Sequence, residues 1–179
     1  MGLHFVGIRK PRVHRQNLEY ARKRGWTLAE ADLRFDLPGV QKWWSSQHIP
    51  LVRAGVDGWW NDDAETAYDE FFYMNIAERD SWRQTTGKPF WSLNRAFAPG
   101  MQRLGAAVWT GDIPSTWQAL QNQPGTLLNW SLCGMPWCGQ DIGGFSGTPS
   151  AELYVRWMQE GALVPIMRAH GDRNSPRWP

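Results

Sequence analysis

The residues that can do chemistry fall in two short stretches, each rich in carboxylates. The first is Gly55-Val56-Asp57-Gly58-Trp59-Trp60-Asn61-Asp62-Asp63-Ala64-Glu65, with four acidic residues in nine positions. The second is Val108-Trp109-Thr110-Gly111-Asp112, an apolar run that ends in a carboxylate after a glycine. Two carboxylates held on separate segments can divide acid and base work. One stays ionised and attacks, or stabilises an oxocarbenium-like centre. The other carries a proton to a departing oxygen. Charge on the first favours the proton on the second through like-charge repulsion. That is the requirement of glycoside hydrolysis, but spacing alone leaves alternatives open. Acidic residues after a strand also serve as helix N-caps, and Asp57, Asp62 and Asp63 are the right ligand type for a Mg²⁺ site.

Such residues need a scaffold that delivers them from different segments to one place. Short apolar runs alternate with helical patterns along the chain. Strands are expected over 3–8 (LHFVGI, buried), 56–61, 90–93, 106–109 and 164–167. Helices are expected over 15–24, with Leu18 and Ala21 on one face and Gly25 as the stop, and over 37–53, where Pro50 should interrupt or end a turn. A third runs over 66–85, with Ala67, Phe71, Met74 and Trp82 in one stripe. A short helix is expected over 116–122, and 127–132 is helical or extended. After the glycine-rich 139–147, Thr148 and Pro149 have the types of an N-cap and first helical residue, and Leu153, Tyr154, Trp157 and Met158 share a helix face. This alternation predicts βαβ units on a parallel sheet, the α/β class. In a parallel β/α barrel functional residues follow the C-terminal ends of strands, where 62 and 112 fall.

Composition narrows the classes. The 179 residues are 42% hydrophobic and 20% charged, enough for one domain with a real core. A net charge of +2 gives no electrostatic case for nucleic acid or an anionic membrane. No apolar run approaches the length of a membrane span, and no signal peptide is visible, which leaves the compartment and the oligomeric state open. Cys133 and Cys138 have no flanking thiols or histidines suited to zinc, so neither a metal site nor a disulfide framework is expected. Thirteen tryptophans are unusual. Most should be core, though indoles also stack on sugar faces.

Six segments in order resemble glycoside hydrolase family 31, the α-glucosidase and α-xylosidase family. Asp57-Gly58-Trp59-Trp60-Asn61-Asp62 followed by Glu65 resembles its nucleophile motif. Asn94-Arg95-Ala96 with Gly100, Gln102 and Arg103 resembles its arginine strand and G-x-Q-R segment. Trp109-Thr110-Gly111-Asp112 is similar to its acid/base motif, and Asp141-Ile142-Gly143-Gly144-Phe145 to its D-I-G-G-F motif. Glu152-Leu153, Arg156-Trp157, Gln159 and Gly161 continue the order, and Arg168-Ala169-His170 resembles R-x-H. The resemblance covers nearly the whole chain. It departs at Asp63 and Ala64, where the family often has Met and Asn.

The resemblance implies a partial (β/α)8 TIM barrel spanning roughly strands 3 to 7 or 8. Residues 1–179 would form part of a catalytic domain, without the family's N-terminal β-sandwich and C-terminal β-domains. It implies a retaining α-glycosidase, α-glucosidase-like by its Trp60-Asn61-Asp62 form, acting on an oligosaccharide or other α-glycoside. Asp62 would be the nucleophile and Asp112 the acid/base, with carboxyls about 5–5.5 Å apart. Arg95 would bind a sugar hydroxyl beside the nucleophile. Trp60, Trp109 and Phe145 would line the pocket, Asp141 would buttress it, and His170 would donate to a sugar hydroxyl. Glu65 would orient a neighbour. No metal or organic cofactor is needed for this chemistry. A barrel piece of this length is expected to work poorly alone. A sugar-binding protein without catalysis, or an inactive truncated homologue, is the rival reading.

Overall fold

The computed structural model describes residues 2–28, 31–63 and 68–174. The chain divides into two compact units, Met1–Ala106 and Ala107–Pro179. Both are built from parallel strands joined by helices.

In the first unit β1 (Val6–Arg9), β2 (Gly58–Asn61) and β3 (Ser92–Asn94) lie side by side in parallel. Arg9 is in register with Asn61, and Asn61 with Asn94, so three strand ends are level. Two helices, α1 (Arg15–Arg22) and α2 (Pro38–Arg53), connect β1 to β2, and α3 (Tyr68–Thr85) connects β2 to β3. Gly25, at φ 67°, turns the chain after α1 as expected. The core joins Ala21, Leu33, Phe35, Val40, Trp44, Met74 and Ala77. Phe35 and Trp44 meet edge to face at 5.1 Å, a favoured aromatic geometry.

Several expectations shift here. The first strand covers 6–9 rather than 3–8, and it is not buried in this chain. Leu3 and Phe5 are exposed, as are Val6 and Ile8. Pro50 does not break α2. Pro50 sits inside the helix, which runs on to Arg53, and the Pro50 carbonyl still accepts from the amide of Ala54. The start expected for α3 at 66, together with Ala67, lies outside the described residues. Phe71, Met74 and Trp82 are buried as the stripe predicts.

In the second unit β4 (Ala106–Trp109), β5 (Cys138–Asp141) and β6 (Ile166–Arg168) are again parallel neighbours. They alternate with α4 (Trp117–Leu132) and α5 (Ala151–Gly161). Ala119, Leu120, Ile142, Leu153 and Trp157 form its core. The segments 116–122 and 127–132 are one helix, α4. Thr116 caps it by accepting from the Ala119 amide at 3.1 Å, and Pro124 is carried within it. α5 is capped by Ser150, which accepts from Leu153, and not by Thr148. Met158 turns to solvent, away from Leu153 and Trp157.

β5 was hidden in the glycine-rich stretch. Its sequence, Cys-Gly-Gln-Asp, has no apolar alternation because all four residues are buried. Gly139 is there for space: a Cβ would sit 2.2 Å from the Ile166 carbonyl oxygen on β6. The tryptophans divide. Trp44, Trp59, Trp82, Trp109 and Trp157 are buried, and Trp26 and Trp43 pack partly buried against the first unit's core, while Trp117 and Trp137 are exposed. Among the described residues no helix is long and apolar enough to cross a membrane.

Candidate active site

Asp62 follows β2 directly. Its amide donates to the Arg9 carbonyl at 2.8 Å, which continues the parallel ladder one residue past the strand. Its carboxylate has a cation at each oxygen: Arg95 Nη1 stands 3.1 Å from Oδ1, and Lys10 Nζ 3.6 Å from Oδ2. Arg95 follows β3 in the same way, and its amide donates to the Asn61 carbonyl at 2.9 Å. Both side chains are mostly shielded, Asp62 at 15% and Arg95 at 16% exposure. Trp60, two residues before Asp62, is half-buried.

Asp63 takes a left-handed backbone, φ 69°, that L residues other than Asn and Asp rarely adopt. Arg12 Nη2 at 2.7 Å and Lys10 Nζ at 3.1 Å hold its carboxylate, and Arg12 also pairs with Asp32. Asp57 stands apart. It precedes β2, at the end away from Asp62, where it accepts from the Phe5 amide and pairs with Lys88 and His4. The Phe5 bond holds its carboxyl below the ordinary value. Five residues of extended chain span about 16 Å, so Asp57, Asp62 and Asp63 are not one acidic cluster. Among the described residues no group of three or more His, Cys, Asp or Glu could hold a metal ion. Ala64 and Glu65 lie outside the described residues.

In the second unit Trp109 ends β4, buried, and the exposed Asp112 follows it in the next turn. Gly111, at φ 74°, makes that turn, and Ile113 accepts from the Phe145 amide at 2.7 Å. Asp141 ends β5 and is wholly buried. Arg168, its register partner on β6, donates to Asp141 Oδ1 from Nε at 2.8 Å and Nη2 at 2.6 Å. The same guanidinium lies 4.9 Å from the centre of the Trp109 ring. Phe145 and His170 stack obliquely, with centroids 5.3 Å apart. Gly143 and Gly144 are left-handed, and a Cβ on Gly144 would lie 2.7 Å from Pro114 C and Ser115 N.

The structure therefore joins Asp62 to Arg95 in one unit, and Trp109 to the Asp141–Arg168 pair and Phe145 to His170 in the other. Asp62 and Asp112 belong to different units. Lys10 was missed by sequence reasoning. It lies 52 residues before Asp62, outside every motif, so nothing in the sequence pointed to it. Arg168 was legible as the first residue of R-x-H, but not as the partner of Asp141.

Parallel strands joined by helices, with carboxylates, arginines and aromatics at their C-terminal ends, define a class, the β/α-barrel domain. A sequence-family model described as "Glycosyl hydrolases family 31 TIM-barrel domain" matches residues 2–179. The chain belongs to this family, and its fold is that of a partial (β/α)8 barrel. It is similar to "Neutral alpha-glucosidase AB" of Dictyostelium discoideum, 32% identical over 184 residues, covering 85% of this chain and 19% of that protein. It is also similar to "Neutral alpha-glucosidase AB" of Homo sapiens, 42% identical over 148 residues, covering 75% of this chain and 15% of that protein. Among solved structures, a GH31 α-xylosidase from a soil metagenome, complexed with xylose, aligns with TM-score 0.84 at 27% identity. That alignment covers 95% of this chain and 31% of the xylosidase. The chain thus spans about a fifth or less of the length of the two curated relatives.

Proposed function

We propose that this chain is the catalytic-barrel portion of a retaining α-glycoside hydrolase, α-glucosidase-like in its choice of substrate. Two similar proteins bear the name α-glucosidase, and a solved relative is an α-xylosidase holding xylose. The observation that carries the reading is Asp62, a carboxylate just past a strand end with Arg95 at 3.1 Å and Lys10 at 3.6 Å.

Asp62 is the nucleophile. Its oxygen attacks the anomeric carbon while the glycosidic C–O bond breaks, and Asp112 gives its proton to the departing oxygen. Asp112 then takes a proton from water, which displaces Asp62 and releases the sugar with its anomeric configuration retained. Arg95 and His170 supply N–H donors to sugar hydroxyls. Trp60, Trp109 and Phe145 offer apolar faces to the ring, and the Asp141–Arg168 pair fixes the wall that Trp109 forms. The substrate is a terminal α-linked sugar of an oligosaccharide or simple α-glycoside.

The test uses the full-length protein on p-nitrophenyl α-glucoside and α-xyloside, beside Asp62→Ala and Asp112→Ala. Both variants are expected to lose activity. Azide should rescue Asp62→Ala and yield the β-glycosyl azide, because attack then comes once, from the vacated face. Wild-type rates in both variants would remove the assignment of Asp62 and Asp112, whereas sugar binding without turnover by the wild type would favour a sugar-binding protein instead.

A further inference from the structure

Behind Asp62 and Arg95 the ends of β2 and β3 are tied by buried polar side chains where apolar packing would be expected. Asn61, Asn75, Glu78, Ser92 and Asn94 are all fully buried. Asn61 Nδ2 donates to Glu78 Oε2 on α3 at 2.8 Å and to Asn94 Oδ1 on β3 at 2.9 Å. Asn94 Oδ1 also accepts from Asn75 Nδ2 at 2.7 Å, and Asn94 Nδ2 donates to Ser92 Oγ at 2.9 Å. The Ser92 hydroxyl closes the ring onto Asn75 Oδ1 at 2.5 Å. The second oxygen of Glu78 accepts from the Trp44 indole at 3.4 Å.

Burying this many polar groups is costly unless they are bonded, and apolar side chains would fill the space with less risk. What a bonded network adds is a single geometry. Two of its three strand members each precede a residue of the candidate site: Asn61 precedes Asp62, and Asn94 precedes Arg95. The Arg95 amide bonds the Asn61 carbonyl, so the amide side chains and the backbone fix the same junction.

We propose that Glu78 and Asn61 are positioning residues, and that the Glu78–Asn61–Asn94 chain of hydrogen bonds holds the Asp62 carboxylate against Arg95 in line for attack. The proposal rests on the reading of Asp62 as nucleophile. Glu78 meets an N–H donor at each oxygen. Glu78→Gln keeps the shape but turns one acceptor into an NH₂ group, so either the Asn61 or the Trp44 bond is lost. A slip of about 1 Å at a reacting group costs about 100-fold in rate.

The experiment treats the full-length protein with 5-fluoro-α-D-glucosyl fluoride, which accumulates a covalent glycosyl-enzyme. Intact mass gives the trapping rate constant and its amplitude, and peptide mass locates the adduct. Wild type is expected to carry the adduct on Asp62. Glu78→Gln should trap about 100-fold more slowly, with half-saturation in the probe unchanged within about twofold. A merely structural role would lower the amplitude, which counts folded enzyme, and leave the rate constant alone. Asn61→Ser, which leaves room for a water, reads the same link if Glu78→Gln does not fold. Trapping at the wild-type rate constant overturns the positioning role and leaves the nucleophile in place. A wild-type adduct on another carboxylate overturns the nucleophile assignment and the proposal with it.

Discussion

Arg168 grips one oxygen of the wholly buried Asp141 with two nitrogens, at 2.8 and 2.6 Å, from the neighbouring strand. The pair is a register contact, since Asp141 and Arg168 lie opposite each other on β5 and β6. A buried carboxylate without its cation is costly, and removing one partner of such a pair destabilises by about 3–5 kcal/mol. Arg168→Met should lose stability on that scale in urea denaturation. The double variant Asp141→Leu with Arg168→Met should recover much of it, because no lone charge remains. If the single variant matched wild type, the pair would not hold β6 in place.

Two buried groups in the first unit titrate in opposite senses. Burial raises the Glu78 carboxyl from 4.5 to about 7. Burial lowers the His48 imidazole from 6.5 to about 4, and protonation would end its acceptance of the Arg9 Nε–H bond. Native Glu78 holds its proton more tightly than the unfolded chain does, so its contribution to stability falls as pH rises from about 4.5 to 7. Native His48 holds its proton less tightly, so its contribution grows as pH rises from about 4 to 6.5. Each amounts to about 3 kcal/mol at 1.36 kcal/mol per pH unit, and between about 4.5 and 6.5 they oppose. His48→Gln should uncover a fall in stability with rising pH, and Glu78→Gln a rise. Denaturation midpoints from pH 4 to 7.5 read both, and parallel pH curves for the two variants would contradict the assignment.

Gly144 has no room for a side chain. At φ 79° an alanine pays about 1–2 kcal/mol for the left-handed backbone alone. Its Cβ must also displace Pro114 and Ser115, two and three residues after Asp112. Gly144→Ala should lower the melting temperature and reduce turnover together, as seen by calorimetry and p-nitrophenyl glycoside assays. Unchanged turnover would separate this loop from the chemistry.

Asp63 stands where the family often has Met, and its backbone is left-handed at φ 69°. Asp63→Ala should destabilise by about 1–2 kcal/mol, since alanine lacks the local bonding that lets Asp tolerate that region. Asp63→Gly should come close to wild type. Backbone relief there offsets the loss of the half-exposed contacts to Lys10 and Arg12. Equal effects of the two substitutions in thermal unfolding would mean that the ion pairs, not the backbone, dominate.

The sequence by itself determined the α/β alternation, the parallel strands and the position of both carboxylates after strands. It did so because apolar periodicity and the order of six motifs are local, additive features. It also marked Arg95, Asp141 and Arg168, whose motifs are contiguous. Tertiary structure decided what periodicity cannot encode. β5 escaped detection because a strand buried on both faces, and carrying Gln140 and Asp141, has no alternation to read. Pro50 and Pro124 stayed inside helices because packing on the sheet outweighs one lost backbone bond. The rise of β2 set Asp57 at one strand end and Asp62 and Asp63 at the other, which left Asp57 far from Asp62. Only folding brought Lys10 and Arg95, 52 residues before and 33 after Asp62, to its carboxylate, and only strand register aligned Asn61 with Asn94 behind it. Contacts of that kind depend on which strands are neighbours and how they are aligned, and no local stretch of sequence carries that information.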